Sequence, residues 1–445
     1  MKKVVKNDKN YLQAINMTMQ VVIAFFDVFF SIYILEMSNN LSFVFGYLMF
    51  QCAAVMLCEQ IVLRIINHKN HLLIYRLSFV FILLSIALIF TISANTLFMV
   101  YVVQFVYAVA IICYYLPHEI SIMTKNNHKT MNNFVGLHQV LTLVAGIISP
   151  FISGFVIDYV SYPVLFAFII VLSAICFGLS FKVDGGYGEI PKLSFGEFFK
   201  QAHKYKHVKN SYISHAIFKA SQASVVQILL PILIFMKFSS NFSVGLYSAL
   251  ATALSGVVLI LCTKFYKKRT IYIYVATAVA VVSSIVVVFF SSLTLFFIYY
   301  FCANIAIKLL TKYDAEMVYV IIDESDVSPF KKQHHAVFNV YDMASKILAY
   351  GLALLIYTFS KTEVALSIII CSLTLLQIIS SILMVKANND FDKFVAEKEA
   401  KQTAGADNPS ASWGRDWKKI RDWKKTIYNY FHYLQITSAY DIIYL

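Results

Sequence analysis

Residues 14–36 read AINMTMQVVIAFFDVFFSIYILE, an apolar run interrupted near its middle by one acid, Asp27. A helix needs about 20 predominantly apolar residues to cross the hydrocarbon of a bilayer, so this run is long enough to span. Runs of similar length recur along most of the chain. The composition agrees, with 59% hydrophobic residues, 14% charged residues and a mean hydropathy of +0.70. Such a chain cannot hide its apolar surface from water by folding alone. Within lipid only helices or closed barrels satisfy the backbone, and the runs lack the apolar/polar alternation of barrel strands. The reading is an all-α polytopic membrane protein.

Apolar runs and polar breaks place helices near 14–36, 41–66, 73–93, 96–119, 134–157 and 162–181, then near 211–237, 242–263, 271–290, 293–318, 335–358 and 363–386. About twelve spans result. Alternate loops differ in charge, and Lys and Arg flanks resist translocation. One set holds Lys2, Lys3, Lys6, Lys9, Arg64, Lys69, Arg76, Lys125, Lys129, the segment 182–209, Lys264, Lys267, Lys268, Arg269, Lys331 and Lys332; the other offers Lys237 and Lys361. Both termini are therefore expected in the cytoplasm, with the protein multi-pass in the cell membrane. The first run leads straight into further runs without a small-residue cleavage site, which marks it as a retained helix. The net charge of +13 is spread over these flanks, with no basic domain to hold a duplex. Anionic lipid is the expected counterpart, and no nucleic acid. The seven cysteines fall inside apolar runs without disulfide or metal spacing.

The segment 182–210 contains Gly185, Gly186, Gly188 and Pro191 and separates six spans from six. It divides the chain into bundles at 1–181 and 211–386, with a tail at 387–445. An offset of 200 residues superimposes the end of the second span, Leu63 to Lys69, on that of the eighth, Thr263 to Arg269. The same offset pairs Asp27 with Gln227 and Gln104 with Asn304. Four polar residues thus stand near mid-depth in helices one, four, seven and ten, where parallel-repeat carriers place a substrate cavity. Helix five carries small residues and a proline at Gly136, Ala145, Ser149, Pro150, Ser153 and Gly154. Read from the residues alone, this is a close-packing face with a bend.

The helix-five series resembles the glycine pattern G-x8-G-x3-G-P-x2-G-G of antiporters of the major facilitator superfamily, each glycine kept or replaced by Ala or Ser. The resemblance covers roughly residues 10–387. It implies two pseudo-repeated six-helix bundles and a secondary active transporter that moves a small solute by alternating access. Proton coupling and export are further implications. Other signatures depart from that pattern. Leu63 and Thr263 stand near the expected loop aspartates, and helix four has Tyr101, Gln104 and Phe105 where drug antiporters often show Arg-x-x-Gln-Gly.

An ionisable group inside the membrane is costly unless it faces protein or water, so each is a functional candidate. Asp27, among Phe25, Phe26, Phe29 and Phe30, is the clearest. An apolar surrounding favours proton uptake there. Proton coupling, a counter-charge for a cationic solute and a hydrogen bond to a neighbouring helix are its alternatives. Glu59, Arg64 and Glu119 lie near the cytoplasmic ends of their helices and read as gate or interface charges. Asp342 and Lys346 stand four apart on one helix face, either as a static ion pair or as a gate that breaks during transport. Lys219 and Lys308 are expected to snorkel to the surface. His138 is a packing residue or a proton relay. His334 and His335 lack the spacing of a metal site, so no metal, cofactor or catalytic group is expected. The scattered charges also lack an enzyme motif. A non-transporting receptor or assembly partner of the same fold remains the alternative, and the carrier is read as a monomer.

The tail repeats Asp-Trp-Lys-Lys at 416 and 422. Ile420, Trp423, Ile427, Phe431 and Leu434 recur at three-and-four spacing beside Lys419, Arg421 and Lys425. That is the pattern of a helix lying on an anionic membrane surface, with an unstructured extension as the other reading.

Overall fold

The computed structural model describes residues 2–67, 69–125, 128–183, 203, 205–223, 228–264, 269–289, 293–324, 331–360 and 363–405. Among them every regular element is helical. Helix α1 is Lys2–Ala24, which passes through a π turn at Phe25–Phe29 into Phe30–Ser38. There follow α2 (Leu41–Ile65), α3 (His71–Ile89), α4 (Met99–Lys125), α5 (His128–Tyr159) and α6 (Tyr162–Ser180). In the second half α7 comprises Lys206–Phe218, a π turn at Lys219–Ala223 and Leu230–Phe238. It is followed by α8 (Asn241–Lys264), α9 (Arg269–Phe289), α10 (Leu293–Glu324), α11 (Lys331–Phe359) and α12 (Glu363–Gly405).

The 200-residue offset holds at the level of backbone conformation. Phe30–Ser38 and Leu230–Phe238 are matching half-helices, and a π turn precedes each, Phe25–Phe29 directly and Lys219–Ala223 further upstream. Each ends in a left-handed residue, Asn39 at φ 48° and Ser239 at φ 49°. Such a residue turns the chain sharply and gives its own N–H back to a helix carbonyl, Leu35 and Phe235 respectively. Asn40 then caps α2 by accepting from the Ser42 amide at 3.0 Å.

Packing repeats as well. Helix α1 lies against α5 and α6, α2 against α4, and α3 against α4 and α6. The counterparts are α7 against α11 and α12, α8 against α10, and α9 against α10 and α12. Among the described residues the halves meet chiefly at two crossings, α5 with α8 and α2 with α11. The α5/α8 crossing is close because glycine faces backbone on both sides. A Cβ at Gly154 would fall on the Asn241 carbonyl, and one at Gly245 on the Pro150 carbonyl. The outer surface carries large apolar side chains, among them Leu348, Val282 and Ile382, as lipid contact requires. Among the described residues nine helices are long and apolar enough to cross a membrane, with shorter apolar stretches at Leu143–Tyr159 and Thr270–Val286.

Several helices run past the expected spans on the face where α1 begins and α12 ends, termed here the terminal face. Helix α10 reaches Glu324, and α7 starts at Lys206. Hydropathy marks only the lipid-embedded part of a helix, whereas a polar continuation in water keeps its hydrogen bonds. The largest departure is α12, which continues past 386 to Gly405 and so corrects the tail boundary at 387. Apolar residues hold the extension in place. Phe394 lies 4.8 Å from the His207 ring and 5.9 Å from the Tyr205 ring, centroid to centroid, and Asn210 Nδ2 donates to Asp390 Oδ2 at 3.4 Å. The amphipathic pattern from Ile420 to Leu434 lies outside the described residues.

Gly154→Ala is expected to destabilise the protein by about 1–3 kcal/mol, because the added methyl must displace a backbone carbonyl. The measurement is the thermal unfolding midpoint in detergent. Gly178→Ala, with nothing within 4 Å of the added Cβ, is the control expected to leave it unchanged.

Candidate functional site

Charged residues from both halves converge inside the bundle. Asp27 sits at the centre of the α1 π turn, where Phe30 N–H bonds back five residues to the Phe25 carbonyl. Ser31 Oγ donates to the Asp27 carbonyl at 3.5 Å and accepts from Tyr47 at 2.6 Å. Tyr107 of α4 stacks on Phe26 with ring centroids 3.9 Å apart. Asp27 Oδ2 is shielded from solvent and has no hydrogen-bond partner among the described residues. π turns of this kind recur at functional sites because they widen the helix and free a carbonyl. The cation that acts on Asp27 comes from the other half, Lys346 of α11.

Lys346 Nζ also donates to Asp342 Oδ2 at 3.2 Å, with both side chains buried. Asp342 in turn acts on Glu59 of α2 and on Asp314 of α10. Glu59 is 2% exposed and accepts from Asn339 Nδ2 of α11 at 2.5 Å. That bond locks the α2/α11 crossing toward the terminal face. Burying several charges is tolerable here because each is held by an opposite charge or a hydrogen bond.

The opposite face is closed differently. Asp158, at the end of α5, accepts from Ser240 Oγ at 2.7 Å and from the Phe242 amide at 2.8 Å with one oxygen, and from the Asn241 amide at 3.0 Å with the other. A carboxylate from the first half thus sits on the N-terminus of α8 in the second, where the free amides and helix dipole favour negative charge. Asn241 further donates to Glu36 at 3.4 Å and accepts from Tyr162 at 3.2 Å.

Of the four residues expected to line one cavity, Asp27, Gln104 and Asn304 are described. Gln104 is fully buried on α4, and neither of its amide atoms has a hydrogen-bond partner among the described residues. Asn304 is half-buried and donates to its own helix at the Tyr300 carbonyl, 2.9 Å. Gln227 lies outside the described residues. The groups that interact electrostatically with Asp27 include Tyr47, Tyr107 and Lys346. Arg64 is exposed at the end of α2, so Glu59 is held by Asn339 and not by an arginine. The side chains of Glu119, Gly136 and His138 lie outside the description. In helix five, Ala145, Ser149 and Ser153 are buried, and Ser149 Oγ donates to the Val21 carbonyl of α1 at 3.3 Å. Lys219 does not snorkel; it is 5% exposed and acts on Asp314.

The sequence reading passed over Asp158, Asp314 and His215. The last two could have been found, since both fall within expected spans and are ionisable. Asp158 lies one residue beyond a span and carries no such signal.

No family model matches the sequence, and no curated protein matches it. Solved structures do. A bacterial homologue of the human lysosomal transporter Spinster, in an inward-facing and unoccupied conformation, aligns with TM-score 0.58 at 11% identity, over 88% of this chain and 98% of that one. A POT family transporter in complex with 5-aminolevulinic acid aligns with TM-score 0.62 at 12% identity, over 87% of this chain and 96% of that one. The chain therefore shares the fold of these two solved transporters, and its long apolar helices make it a multi-pass membrane protein.

Asp158→Ala removes three acceptor contacts across the α5/α8 crossing, each worth about 1.5–3 kcal/mol when the acceptor is charged. Amide hydrogen exchange at Asn241 and Phe242 is expected to accelerate at least about tenfold. Asp158→Asn, which keeps one acceptor oxygen, is expected to fall between the two.

Proposed function

We propose that this protein is a secondary active transporter that carries a small solute by alternating access, coupled to protons through Asp27. The observation that carries this reading is the placement of Asp27 in a π turn of α1 under the influence of Lys346 from the opposite half. When Asp27 is ionised, Lys346 can share its charge between Asp27 and Asp342. When Asp27 takes a proton, that attraction disappears and Lys346 belongs to Asp342 alone. Protonation thereby changes an electrostatic attraction between the two halves, and a rocking carrier needs such a bias on its equilibrium.

The two crossings give the halves separate closures. Glu59 and Asn339 lock one face, and Asp158 with the α8 N-terminus locks the other. Alternating access requires these to open in turn. The solute enters the same interface, where the unpartnered amide of Gln104 and the ring of Tyr107 supply a hydrogen-bonding group and an aromatic wall. The neighbour solved with 5-aminolevulinic acid gives the size class for a screen. Further parts of the reading are export, a cell-membrane location with both termini cytoplasmic, and a monomer. The charge asymmetry of the loops supports the orientation, and the helix-five series supports export. A receptor of the same fold is favoured only by the absent loop aspartates at Leu63 and Thr263.

The test is a compound screen with purified protein in proteoliposomes under an imposed proton gradient, recording solute and proton flux together. For the solute found, Asp27→Asn is expected to lower gradient-driven accumulation at least about tenfold while solute exchange without a gradient persists, since only the coupling step is lost. Wild-type accumulation and pH dependence in Asp27→Asn would refute coupling at this residue, and no flux for any compound would favour the receptor.

A further inference from the structure

A second buried titratable unit lies in the other half. His215 Nδ1 of α7 is 2.5 Å from Asp314 Oδ2 of α10, with side chains 4% and 1% exposed. Phe338 of α11 covers the imidazole, its ring centroid 3.6 Å away. Asp314 Oδ1 has no hydrogen-bond partner among the described residues. The carboxylate has therefore spent one oxygen on histidine and holds the other in a dry site, where full ionisation needs a compensating cation.

That cation is Lys219. It stands four residues beyond His215 on α7, opens the π turn Lys219–Ala223 and acts on Asp314. The charged or titratable groups facing the unit are few among the described residues. Helix α7 contributes Lys219; α11 contributes Asp342, which acts on Asp314 with opposite sign and is held by Lys346; α10 adds the half-buried Lys308 further along. Helix α12 meets α7 through hydroxyls and an amide, as in Ser221 to Gln377 at 2.9 Å and Ser214 to the Ser380 carbonyl at 2.9 Å. Helix α9 adds Thr277, which pairs with Ser381 of α12. Asp342 and Lys346 cancel each other. The balance is thus between Asp314, Lys219 and one mobile proton on the histidine-carboxylate pair.

We propose that His215 and Asp314 form a second proton-binding site, in the half that does not contain Asp27, and that Lys219 sets its occupancy through the π turn of α7. With Lys219 near, Asp314 stays ionised and the imidazole neutral. When α7 rewinds at the π turn, Lys219 shifts by up to one residue of register, about 100° around the helix, and moves off Asp314. The pair then takes up one proton, shared between Nδ1 and Oδ2, to restore neutrality. A proton would so be bound and released in each half of the carrier. The inference rests on the proton-coupled reading above, but its site is separate.

The probe is the proton alone, without any solute. Full-length protein in nanodiscs is stepped between about pH 8 and about pH 5 and the protons taken up per chain are counted with an indicator dye. Asp314→Asn is expected to take up about one proton fewer than wild type, Asp27→Asn about one fewer, and the double variant about two fewer, as independent sites require. A count for Asp314→Asn equal to wild type overturns the second site. A deficit in Asp314→Asn with none in Asp27→Asn upholds it and refutes the first. Should Asp314→Asn not fold, nitrogen-15 histidine spectra of the wild type, with His215 assigned from His215→Gln, replace it. His215 is expected to titrate, and Lys219→Met to raise its midpoint by at least about one pH unit; an unmoved midpoint overturns the role given to Lys219.

Discussion

A charge surrounded by hydrocarbon must be met by another charge or by hydrogen bonds, and in this chain that requirement ties helices that sequence keeps far apart. Lys346 answers to both Asp342 on its own helix and Asp27 in the opposite half. Glu59 is met by Asn339 across the same boundary. Remove these charges and the interior would lose the ionisable groups that tie α11 to the first half, leaving Asp158 and Glu36 on the opposite face as the carboxylates between the halves. The apolar surface positions the bundle in lipid, and the small buried polar set makes its interior responsive.

The fold repeats itself, but its fastenings do not. Matching nine-residue half-helices and matching left-handed caps recur 200 residues apart, and the first helix of each half carries a π turn. A carboxylate closes the α5/α8 crossing from Asp158, whereas at the corresponding place near the end of α11, Thr358 hydroxyl simply returns to the Leu354 carbonyl of its own helix. The α2/α11 crossing is instead fastened toward the terminal face by Glu59. A symmetric scaffold with asymmetric locks distinguishes its two faces.

The spans, their number and the 200-residue offset were legible because hydropathy and chain polarity are local properties that survive in a single sequence. The fold followed from them. The charged site was legible only in part. Asp27, Glu59, Asp342 and Lys346 announced themselves as ionisable groups in apolar runs, and the Asp342/Lys346 pair followed from four-residue spacing. His215 and Asp314 are 99 residues apart, so no spacing rule joins them, and only the packing of α7 on α10 does. Lys219 was misread because helix length was used to judge its reach. Its side chain is buried and acts on Asp314, and it stands at the start of a π turn that no residue pattern reveals. Gln227, one of the four expected cavity residues, lies outside the described residues, and equal depth in four helices does not by itself imply a shared facing direction.

The docked extension of α12 turns motion inside the membrane into motion outside it. Residues 387–405 form a continuous rod beyond the expected span, roughly 28 Å long at 1.5 Å per residue. The contacts of Phe391 and Phe394 with His207 bind the rod to α7 and therefore to the second half. If that half rocks by about 10°, the tip at Gly405 sweeps about 5 Å through the aqueous phase. The rod is a pointer whose angle would report the state of the proposed carrier, and a label near residue 400 would read out its conformational cycle without entering the bundle.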